Sequence, residues 1–454
     1  MTSRQGDHGD RKHHGGAVRE RKQWIRGVNL GGWLVMERYI VPYQFAITDC
    51  HLAGDFCWYP GALSAPPDGG GNNKNATTTA AAPPLCDLNV CHPAREKTLG
   101  DAFDYPIDEW TLAAAFKNKT VGEAWFNYHF ENFISKQDLI EAKEAGVTHL
   151  RVPLPHWILG NVMDNEPWIV GNRWKMFKEL CQWARELDLE VWPNLHTAPG
   201  SQNGFDNSGV ENTVYTCGGW ASHPTNVQRT LDILQELTFR MAEEGLLDVV
   251  RGFGLLNEPF GDCNDFIYQK FLNDALTISR NNLGEKVNIF VSDKFWAPIF
   301  NNGKWWLDPK RYNNTYLDTH FYHVFSPAVR AFDPNQHMQL VCQPDDPQLS
   351  IESCCYQDVP TNSTPSEGVR RISTEWSVAY DCHPGELLSV VMEGIAVNGI
   401  APDFHREIEP DRKTFLKQFG QAQMVAYEAA DTAGLSDGWF YWTLKMEGGA
   451  FAEW

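Results

Sequence analysis

Two glutamates carry the most informative chemistry in this sequence. Glu258 lies in the apolar segment Gly254-Leu-Leu-Asn-Glu-Pro259, and Glu375 lies in Ile372-Ser-Thr-Glu-Trp-Ser377. Apolar runs of this length are typical of buried strands, and a carboxylate at the end of such a strand suits a catalytic rim. Hydrolysis of a glycosidic bond needs two such carboxylates, one as acid/base and one as nucleophile. A single glutamate is usually a solvated surface charge, but both of these end apolar stretches.

The rest of the chain supplies the strands that must position these carboxylates. Amphipathic helical patterns lie between several apolar segments, and one of them opens with the capping-box pair Ser135 and Asp138 and closes at Gly146. This alternation predicts an α/β fold, a (β/α)8 TIM barrel with long βα-loop insertions. The predicted strands are Arg26–Gly31, His149–Leu154, Glu190–His196, Val249–Glu258, Val287–Ser292, Tyr316–Tyr322, Val369–Glu375 and Gly438–Thr443.

Further polar and aromatic residues fall near the ends of these predicted strands. Active sites of such barrels lie at the C-terminal ends of the strands, so we predict that these side chains line one site with the two glutamates. Each of them alone would more often have a structural role. They are Arg151, His196, Asn257, His320, Tyr322 and Trp442.

Composition favours a neutral substrate. The chain has 454 residues, a formal net charge of −20 and 18 tryptophans. The negative charge repels nucleic acid and anionic lipid, whereas aromatic faces stack on the apolar faces of sugar rings. No apolar run is long enough for a membrane-spanning helix. We therefore expect a carbohydrate partner and no nucleic acid.

The domain organisation follows from changes in composition. Residues 1–23 are charged and rich in His and Gly, so we predict a disordered leader without the apolar core of a signal peptide. We predict one barrel domain at 24–454, with a Pro-, Gly- and Ala/Thr-rich loop insertion at about 50–116 and a second irregular region at Phe332–Asn362. The chain is expected to begin downstream of a targeting segment and to be incomplete at its C-terminus.

Cysteine usage and motif searches bear on location and cofactors. The 11 cysteines lie mostly in predicted loops, as disulfide partners of a secreted protein would. The odd count leaves at least one unpaired if all the others pair. The sequence has no CxxC pair, no His-Glu-x-x-His motif and no Gly-rich phosphate loop, so we expect neither a metal nor a cofactor.

Several segments together resemble glycoside hydrolase family 5, and within it the fungal-type exo-β-1,3-glucanases. The resemblance runs from about Arg26 to Trp454, interrupted by the insertion, and its most specific part is the Pro-Gly-Ser-Gln-Asn-Gly-Phe-Asp-Asn-Ser-Gly string that ends at Gly209. The other matching segments are Arg26-Gly-Val-Asn-Leu-Gly-Gly-Trp-Leu-Val-Met-Glu37, Leu150-Arg-Val-Pro-Leu154, Leu255-Leu-Asn-Glu-Pro259, His320-Phe-Tyr-His-Val-Phe-Ser326, Thr374-Glu-Trp-Ser377 and Gly438-Trp-Phe-Tyr-Trp442.

The resemblance implies a role for each catalytic glutamate. Glu258 would be the acid/base, with surroundings that raise its pKa, and Glu375 would be the nucleophile. Arg151 and the hydroxyl of Tyr322 would favour the charged form of Glu375. Members of the family retain anomeric configuration, which requires the two carboxyls to stand about 5–5.5 Å apart.

The same resemblance implies substrate contacts. Asn257 would bond the 2-hydroxyl of the sugar, Trp442 would form the floor under it, and His196 and His320 would position hydroxyls or the carboxylates. Glu37 would bind the non-reducing-end glucose, and a pair of phenylalanines, Phe205 and Phe325, would clamp the outgoing glucan. Two such phenylalanines would more often be core residues, but both follow predicted strands in loops.

The implied activity is release of glucose from the non-reducing ends of β-1,3-glucan. A related β-glucosidase or β-1,6-glucanase, including one that acts on glucosylated lipids, is an alternative, and a non-catalytic glucan-binding protein is another. We expect a monomer without an obligatory protein partner. The expected location is extracellular, at the cell surface or in the cell wall, with membrane anchoring as an option.

Five positions depart from the pattern of the family. Thr197 and Thr374 stand where glycine is usual, His323 stands where glutamine is common, and Pro155-His156 replaces Gly-Tyr. These residues flank the predicted catalytic residues and replace none of them. The departures therefore bear on linkage specificity rather than on catalysis.

Overall fold

The computed structural model describes residues 24–55, 106–295, 314–325, 329, 331–342, 370–380, 410–428 and 437–447. Its eight strands form a closed barrel in sequence order, and every neighbouring pair is parallel, including the first with the last. The fold is thus a (β/α)8 TIM barrel, as the sequence predicts. The strands are β1 Ile25–Asn29, β2 His149–Leu154, β3 Glu190–Leu195, β4 Gly252–Gly254, β5 Asn288–Ser292, β6 Thr315–Phe321, β7 Arg370–Trp376 and β8 Gly438–Tyr441.

The largest difference between predicted and observed strands is in β4. The predicted segment Val249–Glu258 contains only three strand residues, with Val250 forming an isolated bridge to Val191. The chain remains extended beyond β4, because Asn257 N–H donates to the Leu195 carbonyl at 2.9 Å. It then turns at Glu258, whose φ of 44° is in the left-handed region. The apolar run therefore continues into the segment that presents the glutamate.

Helices follow most of the strands and cover the outside of the barrel. The predicted capping box is confirmed: the Ser135 hydroxyl accepts from Asp138 N–H, and the Asp138 carboxylate accepts from Ser135 N–H at 2.7 Å. The described helices are α1 Pro42–Phe45, α2 Asp49–Ala53, α3 Glu109–Ala115, α4 Lys119–Asn132, α5 Lys136–Glu144, α6 Arg173–Glu186, α7 Gly218–Ala221, α8 Pro224–Glu243, α9 Asp265–Leu283, α10 Pro334–Cys342 and α11 Pro410–Glu428. In the described part of the chain, no helix is both long and apolar enough to cross a membrane.

Large side chains fill the barrel interior. Trp192 lies at the centre of a buried cluster and stacks on Phe290 at a centroid distance of 5.8 Å. Gly252 makes room for it, because a Cβ at this position would meet the indole at 2.1 Å. The interior is therefore a packed core, and any substrate must bind above it at the rim. The other members of the cluster are Ile25, Tyr316, Ile372 and Phe440.

The predicted insertion at about 50–116 has helices at both of its ends. Helix α2 overlaps its start and α3 its end, while its central part, together with the predicted leader at 1–23, lies outside the described residues. Glu109, the first residue of α3, forms a fully buried ion pair with Arg173 of α6. Glu109 also accepts from Met36 N–H at 2.8 Å, and Arg173 donates to the Leu34 carbonyl at 2.8 Å. This ion pair thus fixes the loop after β1.

One disulfide joins two cysteines that both belong to the described residues. Cys217 and Cys263 are bonded, and they connect the loop after β3 with the loop after β4. Both loops rise at the C-terminal end of the barrel. The bond therefore holds together two of the segments that surround the rim.

Candidate active site

The two glutamates predicted from sequence lie together at the C-terminal rim. Glu258 follows β4 and Glu375 lies in β7, and both are buried. Three atoms lie within 4.8 Å of one another: one carboxylate oxygen of each glutamate and one ring nitrogen of His320. Residues separated by more than a hundred positions thus form one compact cluster.

Arg151 connects this cluster to β1 and to the segment that follows β4. It is the third residue of β2 rather than a residue at the end of that strand, and its long side chain spans the difference. One guanidinium nitrogen, Nη1, donates to Glu375 Oε1 at 2.6 Å and to Asn29 Oδ1 at 2.7 Å. The other, Nη2, donates to Asn257 Oδ1 at 2.6 Å. The guanidinium therefore orients one catalytic candidate and two amides.

Opposing influences act on the charge of Glu375. Burial raises the pKa of its carboxyl, and the nearby Glu258 raises it further. His320, Arg151 and a hydrogen bond from the Tyr322 hydroxyl at 2.8 Å lower it, although the pKa remains above its ordinary value. Arg151 and Tyr322 thus favour the charged form, as predicted, but burial outweighs them in the free protein.

His320 lies between the two glutamates. Its Nδ1 is 2.6 Å from Glu258 Oε1 and 3.4 Å from Glu375 Oε2. Burial lowers the pKa of the ring, but Glu375, Asp318 and Glu258 raise it by more, so that it lies well above its ordinary value. The surrounding carboxylates therefore favour the protonated ring, and its Nδ1 contacts Glu258 more closely than Glu375.

The most specific string of the sequence surrounds Glu258. Gln202 donates to the backbone carbonyls of His196 and Asn257, at 2.9 and 3.0 Å. Asn203 donates to the Glu258 carbonyl at 3.1 Å, and Asn207 donates to its Oε2 at 2.9 Å. The loop after β3 thus holds both the backbone and the carboxylate of Glu258, which compensates for the positive φ at this residue.

Several buried donors of the site lack a partner among the described residues. They include Asn257 Nδ2 and His196 Nε2. Burying such groups is costly unless a ligand satisfies them, so they suit the hydroxyls of a sugar. The His196 ring is nearly parallel to Trp442, at a centroid distance of 6.0 Å, and the Trp442 indole donates to the Tyr39 hydroxyl at 2.7 Å. These residues contribute to one wall of the site.

Glu37 and Asp206 add two more carboxylates near the pair. Burial raises the pKa of Glu37 well above its ordinary value, and Asp206, Glu375 and Glu258 are all close enough to influence it. Burial also raises the pKa of Asp206 to about 7. A group of carboxyls that are partly neutral can donate as well as accept hydrogen bonds, which suits a polyhydroxyl ligand.

The predicted phenylalanine pair lies in the loops after β3 and β6. Phe325 is 47% exposed and lies edge-on to Tyr322 at 5.1 Å. Phe205 is half-buried and packs against Tyr215 at 4.8 Å and Phe295 at 6.1 Å. Both Tyr215 and Phe295 are exposed, so the rim carries more aromatic surface than the predicted pair alone.

The cluster of Glu258, His320 and Glu375 has donor atoms close enough to share a cation. These donors are already engaged, because Glu375 accepts from Arg151 and Tyr322 and His320 contacts Glu258. The Arg151 guanidinium also places a positive charge where a cation would need to bind. The arrangement therefore suits paired carboxylates that act without a metal.

Sequence reasoning missed several residues of the site. Asn29, Asn207, Asp206 and Asp318 were not predicted as site residues, although the first three lie within segments that carry the resemblance to the family. Asn207 and Asp206 belong to a string dense in Asn, Asp and Gly, and this density was the available signal. Asp293, just after β5, is buried at the same rim and was missed as well.

The fold and the site define a (β/α)8 barrel with a buried carboxylate pair at its C-terminal rim. Residues 109–379 match the family model of cellulase, glycosyl hydrolase family 5. The chain belongs to this family and is a glycosidase.

Curated relatives match nearly the whole chain. A glucan 1,3-beta-glucosidase of Blumeria graminis is 30% identical over 446 residues, which cover 94% of this chain and 83% of the relative. A probable glucan 1,3-beta-glucosidase A of Aspergillus clavatus is 28% identical, over 95% of this chain and 85% of the relative. Among solved structures, a rutinosidase from Aspergillus niger has a TM-score of 0.60 at 13% identity, covering 94% of this chain and 90% of that one. The structural likeness bears on the fold alone.

Proposed function

We propose that the protein is a retaining glycoside hydrolase that releases glucose from the non-reducing ends of β-1,3-glucan. The observation that carries the proposal is the separation of the two carboxylates, which have oxygens within 4.8 Å of each other. Retaining enzymes hold their carboxyls about 5–5.5 Å apart, whereas inverting enzymes leave about 6.5–9.5 Å for a water molecule.

In this proposal the reaction takes two steps. Glu375 attacks the anomeric carbon while Glu258 donates a proton to the glycosidic oxygen, and the shortened glucan leaves with that proton. The glucosyl ester on Glu375 is then hydrolysed by a water molecule that Glu258 deprotonates, which returns both carboxyls to their starting states. Two inversions at the same carbon give net retention.

The hydrogen bonds of the site are compatible with these roles. Arg151 and Tyr322 bond Glu375 on its two oxygens, which stabilises a carboxylate nucleophile. Glu258 is held by Asn207 and His320, which orient its carboxyl towards a leaving oxygen. The free Nδ2 of Asn257 is available for the 2-hydroxyl of the sugar, a contact that strengthens as the oxocarbenium-like state develops.

Substrate choice rests on the relatives and on the rim. Relatives named as glucan 1,3-beta-glucosidases match this chain over more than nine-tenths of its length. The buried Glu37 and the neighbouring Asp206 suit the hydroxyls of a terminal glucose, and Phe205 and Phe325 suit the glucan that leaves. The disulfide between Cys217 and Cys263 is in keeping with the extracellular or cell-wall location that we propose.

The first test is a substrate panel. Laminarin, a β-1,6-glucan, cello-oligosaccharides, a glucosylated lipid and an aryl β-glucoside are incubated with the enzyme, and the products are separated by chromatography. Glucose as the first product from laminarin supports the proposal. Cleavage restricted to the β-1,6-glucan or to small glucosides favours the alternatives, and binding of laminarin without cleavage favours a glucan-binding protein.

The second test concerns stereochemistry and roles. Proton NMR of the reaction at early times should show β-glucose before mutarotation. Glu375→Gln should lose about 10⁴-fold or more in kcat, since nucleophilic catalysis is removed. Glu236→Gln, on the outer surface of α8, is the matched control and should retain full activity. α-Glucose as the first product, or an active Glu375→Gln variant, would exclude the mechanism.

A further inference from the structure

A third carboxylate supports His320 from behind. Asp318 lies two residues earlier in β6 and is 4% exposed. Its Oδ2 is 3.3 Å from His320 Nε2, on the opposite side of the ring from Glu258. The His320 ring thus spans from one buried carboxylate to another.

Thr374 completes this arrangement from the neighbouring strand. Its hydroxyl donates to Asp318 Oδ2 at 2.6 Å, and its backbone N–H donates to Asp318 Oδ1 at 3.0 Å. The same hydroxyl oxygen is 3.1 Å from His320 Nε2, and the Thr374 carbonyl accepts from Asn29 at 2.8 Å. Asp318 therefore uses both of its oxygens to fix the residue that immediately precedes Glu375.

We propose that Asp318 and Thr374 are positioning residues for catalysis, which together hold the His320 ring between the two glutamates and fix the backbone that presents Glu375. This inference rests on the proposed function of the two glutamates. Neither residue touches the substrate in this proposal. Both act through His320 and through the backbone of β7.

The geometry assigns separate tasks to the two residues. Asp318 accepts from the ring nitrogen that faces away from Glu258, so that Nδ1–H is directed at Glu258 Oε1. Thr374 keeps Asp318 from rotating, because it bonds both carboxylate oxygens from one residue. A glycine at 374 would keep the backbone bond but would lose the hydroxyl, so the bond to Asp318 Oδ2 depends on the Thr374 side chain.

The electrostatic surroundings support the same assignment. Burial raises the pKa of Asp318, but His320 and Arg151 outweigh it and hold this pKa below its ordinary value. Asp318 is thus a carboxylate that faces an imidazolium. The charged or titratable groups around the ring are Asp318 on its own strand, Glu375 on β7, Glu258 after β4, Asp293 after β5 and His196 after β3.

The kinetic experiment compares single substitutions on laminarin. Thr374→Val removes the hydroxyl and keeps the shape, and kcat should fall by about 10²-fold, as expected for a small misplacement of reacting groups. KM should change by less than about threefold, because the residue does not contact the substrate. Thr374→Ser restores the hydroxyl and should recover most of the rate. Thr315→Val makes the same change at the first residue of β6, at the end of the barrel opposite to the site. It should leave both kcat and KM unchanged.

A second readout does not depend on activity. In protein with ¹⁵N-labelled histidine, the imidazole signals of His320 are assigned by their loss in His320→Gln, and they report the hydrogen bonds at both ring nitrogens. Asp318→Asn and Thr374→Val should shift these signals, whereas Thr315→Val should not. Unshifted signals in folded Thr374→Val, or a kcat within twofold of the unmutated enzyme, would overturn the proposal. If the signals shift in the variants but the unmutated protein cleaves no glucan, the proposed function is refuted instead. If Asp318→Asn does not fold, Thr374→Val carries the test alone.

Discussion

Arg151 and Glu375 form a buried ion pair at 2.6 Å, with side chains that are 1% and 4% exposed. The same guanidinium donates to Asn29 and Asn257, so that one side chain of β2 fixes groups on β1, on β7 and in the segment after β4. A fork of this kind depends on the planar shape of arginine as well as on its charge. Arg151 therefore holds three groups of the site in fixed positions.

Arg151→Lys should therefore lower kcat by about 10²-fold or more, although the charge is retained, because one ammonium cannot satisfy Glu375, Asn29 and Asn257 together. Steady-state kinetics on laminarin measures the effect. Arg185→Lys is the control, since Arg185 forms a similar fork with Asp248 on the exposed surface. A lysine variant with nearly full activity would show that charge alone is sufficient at this position.

Thr197 and His156, two of the departures that the resemblance leads us to expect, bond each other. The Thr197 hydroxyl accepts from His156 N–H at 2.9 Å and lies 2.7 Å from His156 Nδ1, and both residues are buried. Burial lowers the pKa of His156 well below its ordinary value, so that the neutral ring accepts from the hydroxyl. The two departures are therefore one structural unit.

Thr197→Val should reduce the free energy of unfolding by about 1–3 kcal/mol, because it leaves a buried acceptor and a buried N–H without their partner. Thr197→Val combined with His156→Phe should cost less than the sum of the single changes, by about 0.5–3 kcal/mol. Urea unfolding of the four proteins gives these values. Strict additivity would mean that the two residues act independently.

We expect His323 to make the folded protein less stable at acid pH. Its Nδ1 is 3.1 Å from Nδ1 of His337, and burial lowers its pKa to about 3. Below the ordinary pKa of 6.5 the unfolded chain takes up a proton that the folded protein excludes, so stability falls as the pH drops from about 6.5 towards 3. At pH 5 this one group costs about 2 kcal/mol.

His323→Gln removes this penalty. The free energy of unfolding should therefore decrease less between pH 7.5 and pH 5 in the variant than in the unmutated protein, by about 2 kcal/mol. Urea unfolding at the two pH values gives the difference, in which titrating groups that do not contact His323 cancel. Parallel losses in the two proteins would contradict the low pKa of His323.

The buried pair of Glu109 and Arg173 should be costly to break. Both side chains are fully buried, burial lowers the pKa of Arg173 to about 10, and it raises the pKa of Glu109 to about 7. Glu109→Gln leaves the guanidinium without its counter-charge and should destabilise the protein by about 3–5 kcal/mol. Glu236→Gln breaks an exposed pair with Arg240 and should cost about 0.5 kcal/mol.

A second measurement connects this pair to the site. Because the pair fixes the Leu34–Met36 segment before Glu37, a folded Glu109→Gln protein should bind the terminal glucose less well. KM should rise by a larger factor than kcat falls. Glu109→Gln with unchanged stability in urea would show that Arg173 finds another partner.

The strands of the barrel could be predicted mainly from apolar runs in the sequence. β2 has the predicted bounds, because its apolar residues are enclosed by turn and polar residues on both sides. β4 was predicted too long, because Leu255 and Leu256 remain buried beyond the strand as they lead to Glu258. The ends of elements depend on backbone turns, and hydrophobicity does not report these turns.

The site was predictable where a charged residue interrupts an apolar run, as Glu258, Glu375 and Arg151 do. It was not predictable where a polar residue acts through a distant partner. Asn29 donates to the Thr374 carbonyl across 345 residues of sequence, and only the closed barrel brings the two together. Asp318 was missed for the same reason, since its contacts with Thr374 exist only once β6 and β7 are paired.

The pairing of β1 with β8 has a consequence for biosynthesis. Ile25 is in register with Gly438, so the first strand must wait for almost the entire domain to be translated before its second edge is covered. During that interval the nascent chain exposes open strand edges and an unfilled interior. We therefore expect ribosome-associated chaperones to engage this polypeptide, and the yield of recombinant enzyme to depend on their supply.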